Sequence, residues 1–308
     1  MDYTVSATSF ADVWTFASAD LFEAISEVLF YGILLVLVAF ALNLLSQRKA
    51  AGGLVLGIAT VIMFILATVQ LAARLQATVE AVKLVYLTVQ GQTEPQTRIS
   101  NETMDRYINF NFAEDVLLVT NNMVTDGVLI YRCFLIWGRN KYVVIGPGLL
   151  LLITSVLSYL SAVQGDYPTP GGPTVDLRIG FLLSVLTNLL LVGLTAGRVW
   201  HTRHKARGFL KKEVARRYNT AVIMILESGA ILCAWTVAYV VFRSISPPTV
   251  WRVFRGGLAQ ILNIVPTLIV VRVGLGHTVD EANGTWRSKD SSLAELKSQT
   301  ETSASSQV

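Results

Sequence analysis

The chain has 308 residues, of which 53% are hydrophobic and only 15% are charged, and its formal net charge is +4. Soluble domains carry about 25% charged residues, so this composition excludes an ordinary soluble protein and predicts a chain whose main solvent is lipid. It also excludes a disulfide framework, because Cys133 and Cys233, the two cysteines of the chain, each lie inside an apolar segment.

Seven segments of the sequence approach or exceed the roughly 20 apolar residues that a spanning helix needs. They are residues 24–45, 53–74, 113–137, 142–163, 178–199, 218–243 and 253–273. The pattern predicts an all-α fold, a polytopic membrane protein built as a seven-transmembrane helix bundle over residues 24–273. Residues 1–23 are then an extracellular N-terminal tail. Residues 274–308 are polar and rich in Ser and Thr, which predicts a disordered cytoplasmic tail.

Basic residues in short connections set the predicted orientation, because such loops remain on the cytoplasmic side of a membrane. Connections 46–52 and 138–141 are short and basic, and the segment 198–217 is the most densely basic of the chain. Its residues are Arg198, Arg203, Lys205, Arg207, Lys211, Lys212, Arg216 and Arg217. We therefore expect the N-terminus outside and the C-terminus in the cytoplasm. This basic loop is expected to contact anionic inner-leaflet lipids or, alternatively, a G-protein α subunit, and no nucleic acid.

The region 75–112, between the second and third predicted spans, is amphipathic. It is either an outward extension of span two or an interfacial helix that caps the bundle, and the cap is the favoured interpretation. The sequon Asn101-Glu102-Thr103 lies in this region and predicts a glycan on Asn101, on an outside loop.

Three arginines, Arg243, Arg252 and Arg255, lie at the predicted outer mouth of the bundle, against the inside-positive bias. The favoured interpretation makes them interfacial anchors, because arginines at helix ends commonly extend to the membrane surface. The alternative is capture of an anionic ligand from outside.

Polar side chains recur near the middle of the predicted spans, where they are costly and normally face the bundle interior. The set comprises Asn122, Thr125, Asp126, Asn188, Glu227, Gln260 and Asn263. One interpretation is a cavity for a ligand, ion or proton, with Asp126 and Glu227 at its floor. The other is hydrogen bonding between helices, with the acids protonated or paired to Arg132, which otherwise extends to the cytoplasmic interface.

Several kinds of chemistry have no support in the sequence. The three histidines lie in predicted cytoplasmic segments, and no predicted span contains a lysine, which argues against an intramembrane zinc site or a Schiff base. Glycine-rich phosphate loops and nucleophile elbows do not occur in the sequence. We therefore predict a protein that is not an enzyme and that has no cofactor and no metal site.

The topology resembles that of G-protein-coupled receptors, although the sequence signatures of the rhodopsin-like receptors are not present at the matching places. A closer resemblance rests on four stretches. They are Asp126-x-x-Leu129-x-Tyr131-Arg132-Cys133-x-x-Ile136-Trp137-Gly138, Thr195-Ala196-Gly197-Arg198-Val199-Trp200, Glu227-Ser228-Gly229-Ala230 and the run from Pro266 to Gly276. With these stretches the chain resembles a large group of seven-span membrane proteins from mushroom-forming (basidiomycete) fungi. The resemblance implies the fold and a fungal source, but no reaction and no ligand.

Three functions remain open at this point. The first is a receptor-like protein at the cell surface, in the plasma membrane or another secretory-pathway membrane, that signals through the basic cytoplasmic loop. The second is a proton- or ion-coupled transporter of a small molecule that uses Asp126 and Glu227. The third is a non-catalytic membrane scaffold whose partner is the lipid bilayer.

Overall fold

The computed structural model describes residues 7–46, 53–90, 94–164, 177–205 and 212–272, and these residues form seven α-helices. The first six are α1 (Ala7–Ser46), α2 (Gly53–Gln90), α3 (Glu94–Ile136), α4 (Tyr142–Gln164), α5 (Leu177–Lys205) and α6 (Lys212–Ile245). The last is α7, Pro248–Arg272. No strand occurs in this part of the chain. The predicted tail 274–308 lies outside the described residues.

Six of these helices are long and apolar enough to cross a membrane, namely α1, α2, α4, α5, α6 and α7. This observation confirms the prediction of an all-helical integral membrane protein that crosses the bilayer several times. The helix α3 contains the predicted third span, but it also carries acidic, basic and amide side chains along its length. Some of its polar residues are exposed, but Glu114, Asn121, Thr125 and Asp126 are buried inside the bundle.

The first three helices are longer than a bilayer requires. They contain 40, 38 and 43 residues, which at about 1.5 Å per residue is roughly 60 Å each, against a hydrocarbon core of about 30 Å. The predicted tail 1–23 is therefore already part of α1 from Ala7 onward. The cap interpretation of 75–112 is wrong, because residues 75–90 extend α2 and residues 94–112 begin α3.

The extended ends of α1, α2 and α3 are helical because they pack against one another. Ala77 and Ala81 of α2 and Tyr107 of α3 form a buried apolar cluster with Ala17 of α1. Phe16 meets Tyr107 edge to face, with ring centroids 5.0 Å apart. Burial raises the pKa of Tyr107 to about 12, so its hydroxyl stays protonated at physiological pH. Tertiary packing of this kind stabilises helices whose sequence alone shows little periodicity.

The helix α7 occupies the interior of the bundle. Of its most apolar window, 78% of the residues are buried, whereas the corresponding share for α1 is 17%. Close contact with α1 depends on glycine: a Cβ at Gly256 would lie 2.4 Å from the backbone oxygen of Glu23. A Cβ at Gly257 would lie 2.5 Å from the Trp235 ring of α6. Side chains on α7 therefore reach α1, α3 and α6, and these contacts position the site.

Candidate functional site

Acidic residues on α1 form one buried face at the end of the bundle remote from Ser46. Asp20, Glu23 and Glu27 are spaced by three and four residues, so they lie on the same side of the helix. None of the three has measurable exposure. Charged side chains are almost never fully buried without partners, so the neighbouring helices must supply cations or hydrogen-bond donors.

Arg74 of α2 supplies the first cation, and its side chain is also fully buried. Its guanidinium lies 3.5 Å from the Asp20 carboxylate and 3.2 Å from that of Glu23. It also pairs with Glu114 of α3 and donates to the Asn111 side-chain oxygen at 3.4 Å. One arginine thus joins α1, α2 and α3, and it has no solvent to replace a lost partner.

The helix α7 supplies two further cations to the same acids. Arg255 donates to Glu23 at 2.9 Å and to Asp115 at 2.5 Å, while Arg252 pairs with Asp20. The prediction that Arg252 and Arg255 are interfacial anchors is wrong, because the buried carboxylates of α1 and α3 hold both side chains inside the bundle. The guanidinium of Arg243 lies over the Trp251 ring, 4.7 Å from its centroid.

We refer to these residues together as the outer ion-pair network, after the orientation that the basic connections predict. Its members are Asp20, Glu23, Arg74, Glu114, Asp115, Arg252 and Arg255. Roughly 20 residues, or ~30 Å of helix, separate Arg74 from the start of α2 and Glu114 from the end of α3. The network therefore lies about one hydrocarbon thickness away from the end of the bundle where the basic loops begin.

A second group of buried polar residues lies one helical turn further into the bundle. Glu27 follows Glu23 on α1, and Gln70 precedes Arg74 on the antiparallel α2, so both lie at the same level. Gln260 of α7 donates its amide to Glu27 at 3.0 Å. All three side chains are fully buried. We call Glu27, Gln70 and Gln260, with Asn121 and Asn263 below them, the amide layer.

Deeper still, α3 and α7 are joined around a proline. Pro266 has no amide hydrogen, so it leaves the carbonyl of Leu262, four residues earlier, without its helical donor. The hydroxyl of Thr125 donates to that carbonyl at 3.2 Å. Nearby, Asn121 and Asn263 each donate to the Ala259 carbonyl at 3.3 Å. Thr125 therefore forms a hydrogen bond between α3 and α7, as one of the two interpretations of the sequence predicted.

Asp126 is fully buried and faces α5 instead of α7. Its carboxylate accepts from Ser184 at 3.3 Å and from Asn122 at 3.5 Å. Its Oδ1 atom has no hydrogen-bond partner, and none of the ion pairs among the described residues includes it. Arg132, the predicted partner, instead donates to the Pro266 carbonyl at 3.2 Å.

The remaining predicted cavity residues do not form one site. Glu227 was predicted to lie with Asp126, but it is 54% exposed and pairs with Arg272 at 2.6 Å. Because Arg272 ends α7, this pair lies at the opposite end of the bundle from the outer network. Asn188 links α5 to α6 through the Gly229 carbonyl at 3.2 Å. The predicted common cavity floor of Asp126 and Glu227 is therefore wrong.

The predicted surface sites are described in part. Asn101 is exposed, but it lies on the α3 helix and not on a loop. Arg198 stacks over the Trp137 ring at 5.1 Å, which ties the start of the basic loop to the turn that follows α3. Residues 206–211 lie outside the described residues, as do the side chains of the other basic residues of the loop.

Sequence reasoning missed most of the outer ion-pair network. The spacing of Asp20, Glu23 and Glu27 places them on one helical face and could have indicated the network. It was overlooked because the first span was predicted to begin at residue 24, which left Asp20 and Glu23 in the tail. Arg74 and Glu114 were placed at span ends, where charges are ordinary. Their burial results from tertiary packing, which hydropathy does not report.

The fold and the site together define an integral membrane protein of several apolar helices with charged and polar contacts in its interior. Comparison with protein-family models, with curated proteins and with solved structures finds no match for this chain.

Proposed function

We propose that this chain is a receptor-like protein of the plasma membrane, with its N-terminus outside, that transmits a change at its outer end to its cytoplasmic loops. The supporting observation is the series of polar contacts along α7. This helix is bound to α1 through Arg255 and Gln260, to α3 around Pro266, and to α6 through Arg272. A shift of its outer end must therefore rearrange contacts at its inner end, because packed interfaces change between discrete arrangements.

An outside ligand would act by binding one arrangement of α7 more tightly than the other. Only such a difference in affinity can shift the equilibrium between the two arrangements. The network offers the ligand a place to do so, because Asp115 at its edge is 23% exposed whereas its neighbour Glu114 is buried. The proposal includes a glycan on Asn101 and a place among the seven-span proteins of mushroom-forming fungi. The proposed place among these fungal proteins rests on the four sequence stretches given above.

The output is proposed to be a cytoplasmic protein such as a G-protein α subunit, recruited by the basic loop 198–217. Proximity labelling from a tag on the C-terminus, in cells, tests this directly. The loop variant changes Lys211, Lys212 and Arg216 to Gln. Arg198 is left intact because it packs on Trp137.

The matched control changes three other basic residues that are predicted to lie on the same side of the membrane, Arg287, Lys289 and Lys297, to Gln. We expect an α subunit among the labelled proteins, lost in the loop variant and retained in the control. Equal loss in both variants would reduce the effect to general attraction by positive charge. Absence of any cytoplasmic partner in the wild type, at normal surface levels, would contradict the receptor function.

A second candidate, a proton- or ion-coupled transporter, is favoured by Asp126. A buried carboxylate without a cationic partner is a common means of coupling protons to transport. The Asp126→Asn variant would then abolish uptake of the substrate. The control Ser155→Ala, which removes a buried hydroxyl bonded to its own helix, would not. A membrane scaffold predicts no effect in either experiment.

A further inference from the structure

Three amide groups of the amide layer have orientations fixed by their partners. A carboxylate oxygen and a backbone carbonyl can only accept hydrogen bonds. Gln260 must therefore turn its nitrogen to Glu27, at 3.0 Å. Asn121 and Asn263 must turn theirs to the Ala259 carbonyl, each at 3.3 Å. The amide oxygens of all three side chains consequently face away from these partners.

None of these oxygens has a hydrogen-bond partner. They are Gln260 Oε1, Asn121 Oδ1 and Asn263 Oδ1, and the second carboxylate oxygen of Glu27 joins them. The amide of Gln70, at the same level, is unpartnered at both atoms. Every one of the five side chains is fully buried. Buried polar atoms in native proteins are nearly always satisfied, and all of these atoms except Gln70 Nε2 are acceptors, which favours an electropositive group among them.

The charges of the surroundings point the same way. The fully buried acids of the outer ion-pair network and the amide layer are Asp20, Glu23, Glu27 and Glu114. The arginines that face them are Arg74, Arg252 and Arg255. Asp115, which is 23% exposed, also pairs with Arg255, so the acids outnumber the arginines at this end of the bundle. Glu27 takes part in none of the ion pairs of the described residues, so the excess falls at the amide layer. A water molecule would satisfy oxygens but would leave this charge unbalanced.

We propose that the amide layer binds one monovalent metal cation, Na⁺ foremost, through the Glu27 carboxylate and the amide oxygens of Gln260, Asn121 and Asn263. Oxygen donors of this kind suit hard cations, and a ligand set with one carboxylate and three neutral amide oxygens favours a monovalent ion over a divalent one.

This inference does not depend on the receptor function. The ion would lie between α1, α3 and α7, directly beneath the network. Its binding therefore stabilises the arrangement in which the outer end of α7 is held against α1 and α3. Any protein that contains this bundle would show the effect, whether it signals, transports or organises lipids.

The test uses the full-length protein purified in detergent, and the probe is the cation itself. Thermal unfolding is followed in NaCl, KCl and choline chloride at one ionic strength. A ligand that binds only the folded state raises its melting temperature, so we expect Na⁺ to give a saturable rise of about 5 °C over choline. Equilibrium dialysis with ²²Na⁺ should give one ion per chain.

Two variants locate the site. Glu27→Gln removes the charge and keeps the shape, and Asn263→Ala removes one proposed ligand. Both should lose the Na⁺-dependent rise, while Ser155→Ala, elsewhere in the bundle, should retain it. Equal melting temperatures of the wild type in all three salts would overturn the proposal, even if a variant failed to fold. So would stabilisation by acid alone, because a proton would then balance the excess charge.

Discussion

The strongest prediction concerns Arg74, which has the largest fully buried side chain among the described residues. Replacing it by Met keeps a long, flexible apolar stem in the same space but removes the positive charge. The carboxylates of Asp20, Glu23 and Glu114 then lose their shared partner, and no solvent reaches them. Breaking a buried ion pair by removing one member costs about 3–5 kcal/mol, because the remaining charge stays buried and uncompensated.

That loss is large enough to measure as a change in melting temperature. For chains of 150–250 residues, each kcal/mol shifts the midpoint by about 2–4 °C, so Arg74→Met should lower it by roughly 10 °C. Adding Glu114→Gln should recover part of the loss, since one of the three carboxylates that lose Arg74 becomes neutral. Asp20 and Glu23 still pair with Arg252 and Arg255 of α7 in this double variant.

The protein itself provides the reporter for this assay. Cys133 is buried and Cys233 is partly buried, so a thiol-reactive fluorophore reports unfolding on heating. The control is Arg98→Met on α3, an arginine that is 85% exposed and pairs with exposed Glu102; such pairs contribute about 0.3–0.5 kcal/mol. If Arg74→Met lowered the midpoint no more than this control, the buried network would not be a stabilising feature and the reasoning would fail.

Two further predictions concern α7. Gly256→Ala should destabilise the protein markedly in the same assay, because its Cβ would lie 2.4 Å from the Glu23 backbone oxygen. The control Gly32→Ala, whose Cβ would have no atom within 4 Å, should be neutral or stabilising. Equal effects of the two variants would show that α1 and α7 are not in contact at Gly256. Thr125→Val should cost about 1–2 kcal/mol in the wild type but less in a Pro266→Ala background, where the helix supplies its own donor to the freed carbonyl. A double-mutant cycle measures this difference, and strict additivity would refute it.

Much of the fold follows from hydropathy, because each apolar segment must satisfy its backbone internally as a helix. All seven predicted spans lie almost entirely within observed helices. The ends of α1 and α2 were mispredicted because the length of an apolar segment indicates which residues lie in the lipid. It does not indicate where the helix ends. Residues 75–90 continue α2 by packing on α1 and α3, which no local pattern reveals.

The candidate site was predictable only in part. Periodicity placed Thr125 and Asp126 inside the bundle, and the structure agrees. It could not decide that they face different helices, α7 and α5. The position of Glu227 was mispredicted because counting residues along a helix gives the depth of a residue in the bilayer. It does not give the side of the helix to which the side chain points. The side chain of Glu227 points outward to Arg272, whereas the inward positions of α6 hold Ser228 and Tyr239.

The central proposal, that α7 couples the outer ion-pair network to the end of the bundle that carries the basic loops, has a direct test that needs no ligand. Hydrogen–deuterium exchange is measured for the wild type, for Asp115→Asn at the edge of the network, and for the matched surface control Glu102→Gln. We predict that Asp115→Asn changes exchange both near Arg255 and in the inner segments 198–217 and 266–272, while the control changes neither. Changes confined to the outer end of the bundle would contradict the coupling.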